Sequence, residues 1–297
     1  MDLVVRQARL PEPGETIFGD SLVATPGGKG LNQAVAAALA GGDVSFLGAV
    51  GDDAHGRELR QRLDDHGIGT TALATVDSTT GTALIMVLES AENQGENAIV
   101  VVSGANDAVT ELDAASELAV REATYLVAQL ERPMALVSDA FQVARGEGVT
   151  TVLTPAPVSR IDPTIFDLVD ILIPNAGEAA ALTGLDDDVD AALALSKRVG
   201  TVIVTRGARG VLVARAGHII ADLPARAVQP IDTTGAGDTF VGVLVARLSL
   251  GIPLLEALND AIIAASISVT RRGSSSSMPT WSEVEAVARQ SVTSPPR

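Results

Sequence analysis

The chain has no cysteine among its 297 residues, so disulfide staples, a thiolate nucleophile and zinc sites of the cysteine type are all excluded. That absence suits a reducing cytoplasm. Histidine is nearly as scarce: His55, His66 and His218 lie far apart and lack the spacing of a zinc-binding helix, so hydrolytic metal chemistry has little support. Aromatic residues make up only 2%, too few for a site that grips nucleobases by repeated stacking. Lys and Arg number 21 against 37 Asp and Glu, and the net charge of −16 repels nucleic-acid phosphates and anionic membrane surfaces. Long apolar runs are missing too. Stretches such as Val241 to Ala246 fall far short of the roughly 20 residues of a membrane-spanning helix. The opening Met1-Asp2-Leu3-Val4-Val5-Arg6 has no basic region followed by a signal-peptide core, and a cytoplasmic location is expected.

What is present is an ordinary globular mixture, 46% hydrophobic and 20% charged, with no repeat and no Pro/Gly/Ser linker to divide it. One domain over residues 1–297 is the expectation. Short apolar runs at Val44–Val50, Tyr125–Leu130, Thr150–Leu153, Ile171–Ile173 and Thr201–Val204 read as buried strands. Amphipathic segments alternate with them, such as Asp53–His66 with Leu59 and Leu63 on one face. This alternation predicts an α/β fold whose mostly parallel sheet carries helices on both faces. Two regions, Glu15–Thr25 and Thr80–Val102, instead alternate apolar and polar residues around turn-forming Asn93, Gly95 and Asn97. They predict a small antiparallel sheet outside the main layer, a β lid formed from about residues 3–26 and 78–103. After Gly235 the pattern is helical, over Asp238–Leu248, Leu254–Thr270 and Ser282–Arg289.

Two segments carry chemistry. In Asp232-Thr233-Thr234-Gly235-Ala236-Gly237-Asp238-Thr239-Phe240, small residues open a helix, so its first free amides can face an anion. Asp238 sits in the first turn, where the dipole favours its carboxylate and where it could accept a proton. Taken alone, the segment reads equally well as a capped helix after a glycine turn. In Gly27-Gly28-Lys29-Gly30-Leu31-Asn32-Gln33-Ala34, a Walker loop is excluded because Gly30 stands where Ser or Thr must follow the lysine. Lys29 and Asn32 beside an open backbone suit a polyhydroxylated ligand, although by itself the stretch is also a turn with a solvated lysine.

Together these segments resemble the paired signatures of the ribokinase-like (PfkB) sugar kinase family. Further matches are Pro13-Gly14-Glu15-Thr16, Thr80-Gly81, Gly104-Ala105-Asn106, Gln129-Leu130-Glu131, Asn175-Ala176-Gly177-Glu178 and Thr205-Arg206-Gly207-Ala208-Arg209-Gly210, so the likeness spans nearly the whole chain. It implies a three-layer fold and ATP-dependent phosphorylation of D-ribose on its primary hydroxyl, giving D-ribose 5-phosphate. By the same resemblance Asp238 is the general base, and Gly235, Ala236 and Gly237 form the anion hole. Asp2, Gly28, Lys29, Gly30, Asn32 and Glu131 bind the sugar. Asn175 and Glu178 help place Mg2+, and Thr205, Arg206, Gly207, Ala208, Arg209 and Gly210 line ATP together with Gly237. Asp232, Thr234, Ser268, Arg271, Gly273 and Ser277 match a potassium site. Pairing of lids across a homodimer is also implied, though no interface signal stands out in the sequence.

Without the resemblance, Glu131 and Glu178 read as solvated carboxylates and Asp2 as a frayed terminus. The family usually has a strand before the aspartate matched to Asp2, whereas Met1 directly precedes it here, so either the start lies upstream or the sheet carries a gap. Thr154 stands where the family commonly has Asn, and Ile262 where a polar residue is frequent near adenine. A nucleoside kinase, a kinase for deoxyribose or fructose, and a non-catalytic sensor are the competing functions.

Overall fold

The computed structural model describes residues 1–88 and 97–293. In chain order the first half holds β1 (Asp2–Gln7), β2 (Ser21–Thr25), α1 (Lys29–Leu39), β3 (Gly48–Gly51), α2 (Ala54–Asp65), β4 (Leu73–Val76), β5 (Thr82–Leu88), β6 (Asn97–Val102), α3 (Ala105–Ala108), α4 (Ala114–Glu122), β7 (Tyr125–Ala128) and α5 (Met134–Gly146). The second half holds β8 (Thr150–Leu153), β9 (Ile171–Leu172), α6 (Ala176–Thr183), α7 (Asp188–Leu195), β10 (Thr201–Thr205), β11 (Val211–Arg215), β12 (His218–Leu223), α8 (Ala236–Ser249), α9 (Leu254–Ser268) and α10 (Trp281–Thr293).

The main sheet has the order β12-β11-β10-β9-β8-β7. Strands β7 to β10 are parallel, and β11 and β12 fold back as an antiparallel edge. The apolar runs are continuous because both faces of the sheet are covered, and alternate residues serve different layers. Val152, Ile173, Ile203, Val211 and Val213 face a cluster built with α1, α8 and α9. Their neighbours Leu153, Leu172, Val202, Val204 and Leu212 face Phe141 of α5 and Ala191, Ala192 and Leu195 of α7. The expected three-layer α/β architecture is what the chain forms.

The expected strand Val44–Val50 is shorter, because β3 begins only at Gly48. Ahead of it the chain makes a lone bridge from Ser45 to Gly69 before its ladder to β4 starts. Strands β3 and β4 form a separate two-stranded parallel sheet. No strand among the described residues joins β3 to β7, although Leu47 just before β3 and Leu126 of β7 share one apolar cluster.

The small sheet has the order β2-β1-β5-β6, and it is mixed rather than antiparallel throughout. Its β1–β5 pair is parallel, whereas β1 runs antiparallel to β2 and β5 antiparallel to β6. Residues Glu15 to Gly19 lie in a loop and not in a strand. Asn97 opens β6 opposite Val87, and the turn positions Asn93 and Gly95 lie outside the described residues. Helix α2 starts as expected, with the Asp53 carboxylate accepting the Gly56 amide at 2.7 Å. No helix among the described residues is long and apolar enough to cross a membrane.

Candidate active site

Helix α8 begins at Gly235, whose φ of 73° is a left-handed conformation that favours glycine. No side chain caps the helix. The Ala236 amide donates to the Thr233 carbonyl at 3.3 Å, whereas the Gly235, Gly237 and Asp238 amides have no protein partner among the described residues. Two of the three expected anion-hole amides are therefore free, and Ala236 is engaged. The Asp238 amide was not anticipated as a donor.

The Asp238 carboxylate is held from α1. Asn32 Nδ2 donates to Oδ2 and Gln33 Nε2 to Oδ1, each at 3.0 Å. Gln129, just beyond β7, donates its Nε2 to Gln33 Oε1. Helix α1 can reach Asp238 because it crosses α8 closely: a Cβ on Gly242 would collide with the Gln33 carbonyl and lie 2.6 Å from Ala36 Cβ. Burial pushes the Asp238 carboxyl above its ordinary range, opposed by the Lys29 charge and by the Asn32 and Gln33 hydrogen bonds. Asn32 Oδ1 is buried and has no partner among the described residues.

Around this carboxylate stand Asp2 at the start of β1, Glu131, and Lys29 at the start of α1. The Lys29 amide donates to Glu131 Oε2 at 3.1 Å. Gly28, with φ of 100°, lets the chain turn into the helix, and a Cβ there would lie 3.8 Å from Glu131 Oε2. Gly27 is buried directly under the Asp2 carboxylate, where a Cβ would fall 2.7 Å from Oδ1 and closer still to the rest of the group. Burial raises both Asp2 and Glu131, with Asp238 adding to each and Lys29 pulling each down. Asp2 is a strand residue, not a frayed terminus. Asp2, Glu131 and Asp238 thus share a cleft with the Lys29 ammonium and, beside Asp2 and Glu131, the amino terminus, with few cations to attract an anionic ligand and many acceptors for hydroxyl donors.

The second group lies where β9 and β10 end. Asn175 and Thr205 form a parallel bridge, and Asn175 caps α6 in a capping box. Its Oδ1 accepts the Glu178 amide and its amide donates to Glu178 Oε2, both at 2.8 Å. Burial raises the Glu178 carboxyl, and Lys29 and Asp238 both act on it, so this helix start faces the same cleft. The Thr205–Gly210 turn closes through an Arg206 amide donated to the Gly210 carbonyl at 2.8 Å. Its cations are committed elsewhere, Arg206 to Asp222 and Arg209 to Asp188.

Of the predicted cation-site residues, Asp232, Thr234 and Gly273 come together. The Thr234 and Gly273 amides each donate to Asp232 at 2.9 Å. Burial works against this carboxylate, yet those bonds hold it below its ordinary range. The remaining side chains turn away. Ser268 and Ser277 donate to the carbonyls of Ala265 and Ser274, and Arg271 pairs with Glu283. Among the described residues no cluster of three or more His, Asp or Glu forms a metal site of that kind. Thr154 keeps a buried hydroxyl without a partner among the described residues, and Ile262 packs against the core.

Gln33 and Gln129, which join Asp238 in one hydrogen-bond chain, were not singled out from the sequence, although both lie inside matched motifs. A model of the pfkB family of carbohydrate kinases matches residues 1–281. Over 292 residues the chain is 40% identical to a ribokinase of Haemophilus influenzae, an alignment covering 95% of this chain and 93% of that one. It is 32% identical over 289 residues to a deoxyribokinase of Salmonella typhi, covering 94% and 92% of the two chains. The solved ribokinase of Arabidopsis thaliana, complexed with ribose and ATP, superposes with a TM-score of 0.89 at 30% identity, over 96% of this chain and 95% of that one.

Proposed function

Because the chain belongs to the pfkB family of carbohydrate kinases, we propose that it transfers the γ-phosphoryl group of ATP to the primary hydroxyl of D-ribose, giving D-ribose 5-phosphate and ADP. The observation that carries this reading is one arrangement: a carboxylate clamped by two side-chain amides at the mouth of a helix where the Gly235, Gly237 and Asp238 backbone amides have no partner among the described residues. The hydroxyl oxygen forms the new bond to phosphorus, the bond from phosphorus to the β-phosphate oxygen breaks, and the hydroxyl proton passes to Asp238. The Gly235 and Gly237 amides face the charge on the transferring group, with Asp238's own amide beside them.

Asp2, Gly28, Lys29, Gly30, Asn32 and Glu131 hold the sugar. Asn32 is aptly placed for this, since its unpartnered Oδ1 can accept from a sugar hydroxyl while its Nδ2 stays on Asp238. ATP lies along Thr205–Gly210 and Gly237. In the capping box Glu178 spends one oxygen on the Asn175 amide, and its other oxygen suits a water of Mg2+. Bound Mg2+ would neutralise phosphate charge. The carboxylate of Asp232 with backbone carbonyls of Thr234 and Gly273 fits a monovalent cation. Ser268, Arg271 and Ser277 could add only backbone oxygens, because their side chains are engaged. Equal turnover in sodium and potassium at fixed magnesium would remove that cation from the scheme.

The small four-stranded sheet is read as a lid over the sugar, and its exposed Leu22, Val23, Ile99, Val100, Val101 and Val102 as the surface that pairs with a second copy. The deciding experiment is ADP release from Mg-ATP with a panel of ribose, deoxyribose, fructose and nucleosides. Ribose is expected to give the highest kcat/KM. Preference for deoxyribose would reassign the sugar, and no turnover on any member would leave a sensor.

A further inference from the structure

The hydrogen bonds on Asp238 extend one residue beyond the groups that touch it. Gln33 is buried, 4% exposed, and its amide has two unlike ends. The Nε2 end donates to Asp238 Oδ1, and the Oε1 end accepts from Gln129 Nε2. Turned round, Gln33 would present an oxygen to a carboxylate oxygen, and Gln129 is the group that opposes this turn. Gln129 is in turn fixed beside α1, where a Cβ on Gly30 would lie 3.3 Å from its Oε1.

We propose that Gln33 and Gln129 are positioning residues for the phosphoryl-transfer base, Gln33 by donating to the Asp238 carboxylate and Gln129 by fixing which end of the Gln33 amide faces it. The proposal rests on the reading of Asp238 as the base. In a cleft where Asp2, Glu131 and Glu178 lie near Asp238 and its charged form is favoured by Lys29 and by the Asn32 and Gln33 donors, the loss of one donor moves proton uptake by Asp238 to higher pH. The amino terminus beside Asp2 and Glu131 also bears on this balance.

The test is the pH profile of kcat for Gln129→Glu and Gln129→Leu beside wild type, with Tm confirming the fold. Glutamate at this position accepts where Gln129 donates and so favours the reversed Gln33. Leucine removes the donor without adding charge, and carries the test alone if the first variant does not fold. The expected result is an acidic limb displaced upward by about one pH unit, so that kcat falls by up to about tenfold on that limb and recovers as pH rises, with the sugar KM nearly unchanged. Gln33→Leu is expected to give a larger displacement in the same direction. An unshifted acidic limb in folded Gln129 variants would overturn the positioning role. Normal turnover by Asp238→Asn, expected instead to lose roughly 10² to 10⁴-fold, would overturn the base and leave the two failures distinguishable.

Discussion

At Gly27 a backbone and a carboxylate compete for the same space. The missing side chain is what lets Asp2 lie against the turn that leads into α1, and an added methyl would overlap its carboxyl. Gly27→Ala is therefore expected to displace Asp2 and raise the ribose KM by about tenfold, equivalent to ~1.4 kcal/mol, with a smaller effect on kcat. Steady-state kinetics check this, and an unchanged KM would remove Asp2 from the sugar site. Legibility at this scale was uneven. Lys29, Asn32 and Asp238 could be picked out because each stands in a short run of unusual residues. Gln33 and Gln129 could not, because a glutamine has no chemistry of its own to announce, and their bond joins positions 96 residues apart. Nor did the sequence show that Arg206 and Arg209 pair with Asp222 and Asp188, partners supplied by other elements.

At the scale of elements, two junctions set the geometry. The first is the crossing of α1 and α8 at Gly242, which brings the amides of one helix onto the carboxylate of the other. Gly242→Ala forces the helices apart, with an expected loss of roughly 1 to 3 kcal/mol in stability. Denaturant unfolding reads that loss, and kcat should fall with it because Asn32 and Gln33 move off Asp238. The second junction ties the start of α2 to the loop before β5. Thr80 donates its amide and hydroxyl to Asp53, and the Gly51 amide donates to the Thr80 hydroxyl. Burial alone would raise Asp53, yet these bonds and the Gly56 amide bring it down to about 2. A carboxyl lowered on folding stabilises at neutral pH, and that contribution fades as pH falls from about 4 through about 2. Asp53→Asn is expected to melt below wild type at pH 7, with the gap narrowing toward pH 2 in a Tm series. Element types were readable from period and length, whereas the β1–β5 pairing was not. A parallel partner far along the chain leaves no turn signal between the two strands.

For the whole molecule, the three-layer plan followed from alternating apolar runs, whereas the separation of β3 from β7 shows only in the strand order. Assembly did not follow from the sequence, because Val100, Val101 and Val102 read as ordinary strand residues until the structure left them exposed at an edge. If that edge pairs two copies, Val101→Asp should shift sedimentation from dimer to monomer. A wild-type protein that is already monomeric at micromolar concentration would refute the pairing.

Strand β1 starts with Asp2 in the cleft beside Asp238 and ends at Gln7 within the outer sheet, a span of roughly 17 Å at strand rise. One stiff ribbon therefore connects the proposed sugar pocket to a distant surface. Since the chain has no native thiol, a single cysteine introduced beyond the far end of that ribbon, at exposed Arg9, would take a fluorophore at one place only. Such a label would report ribose arriving at a pocket it never touches.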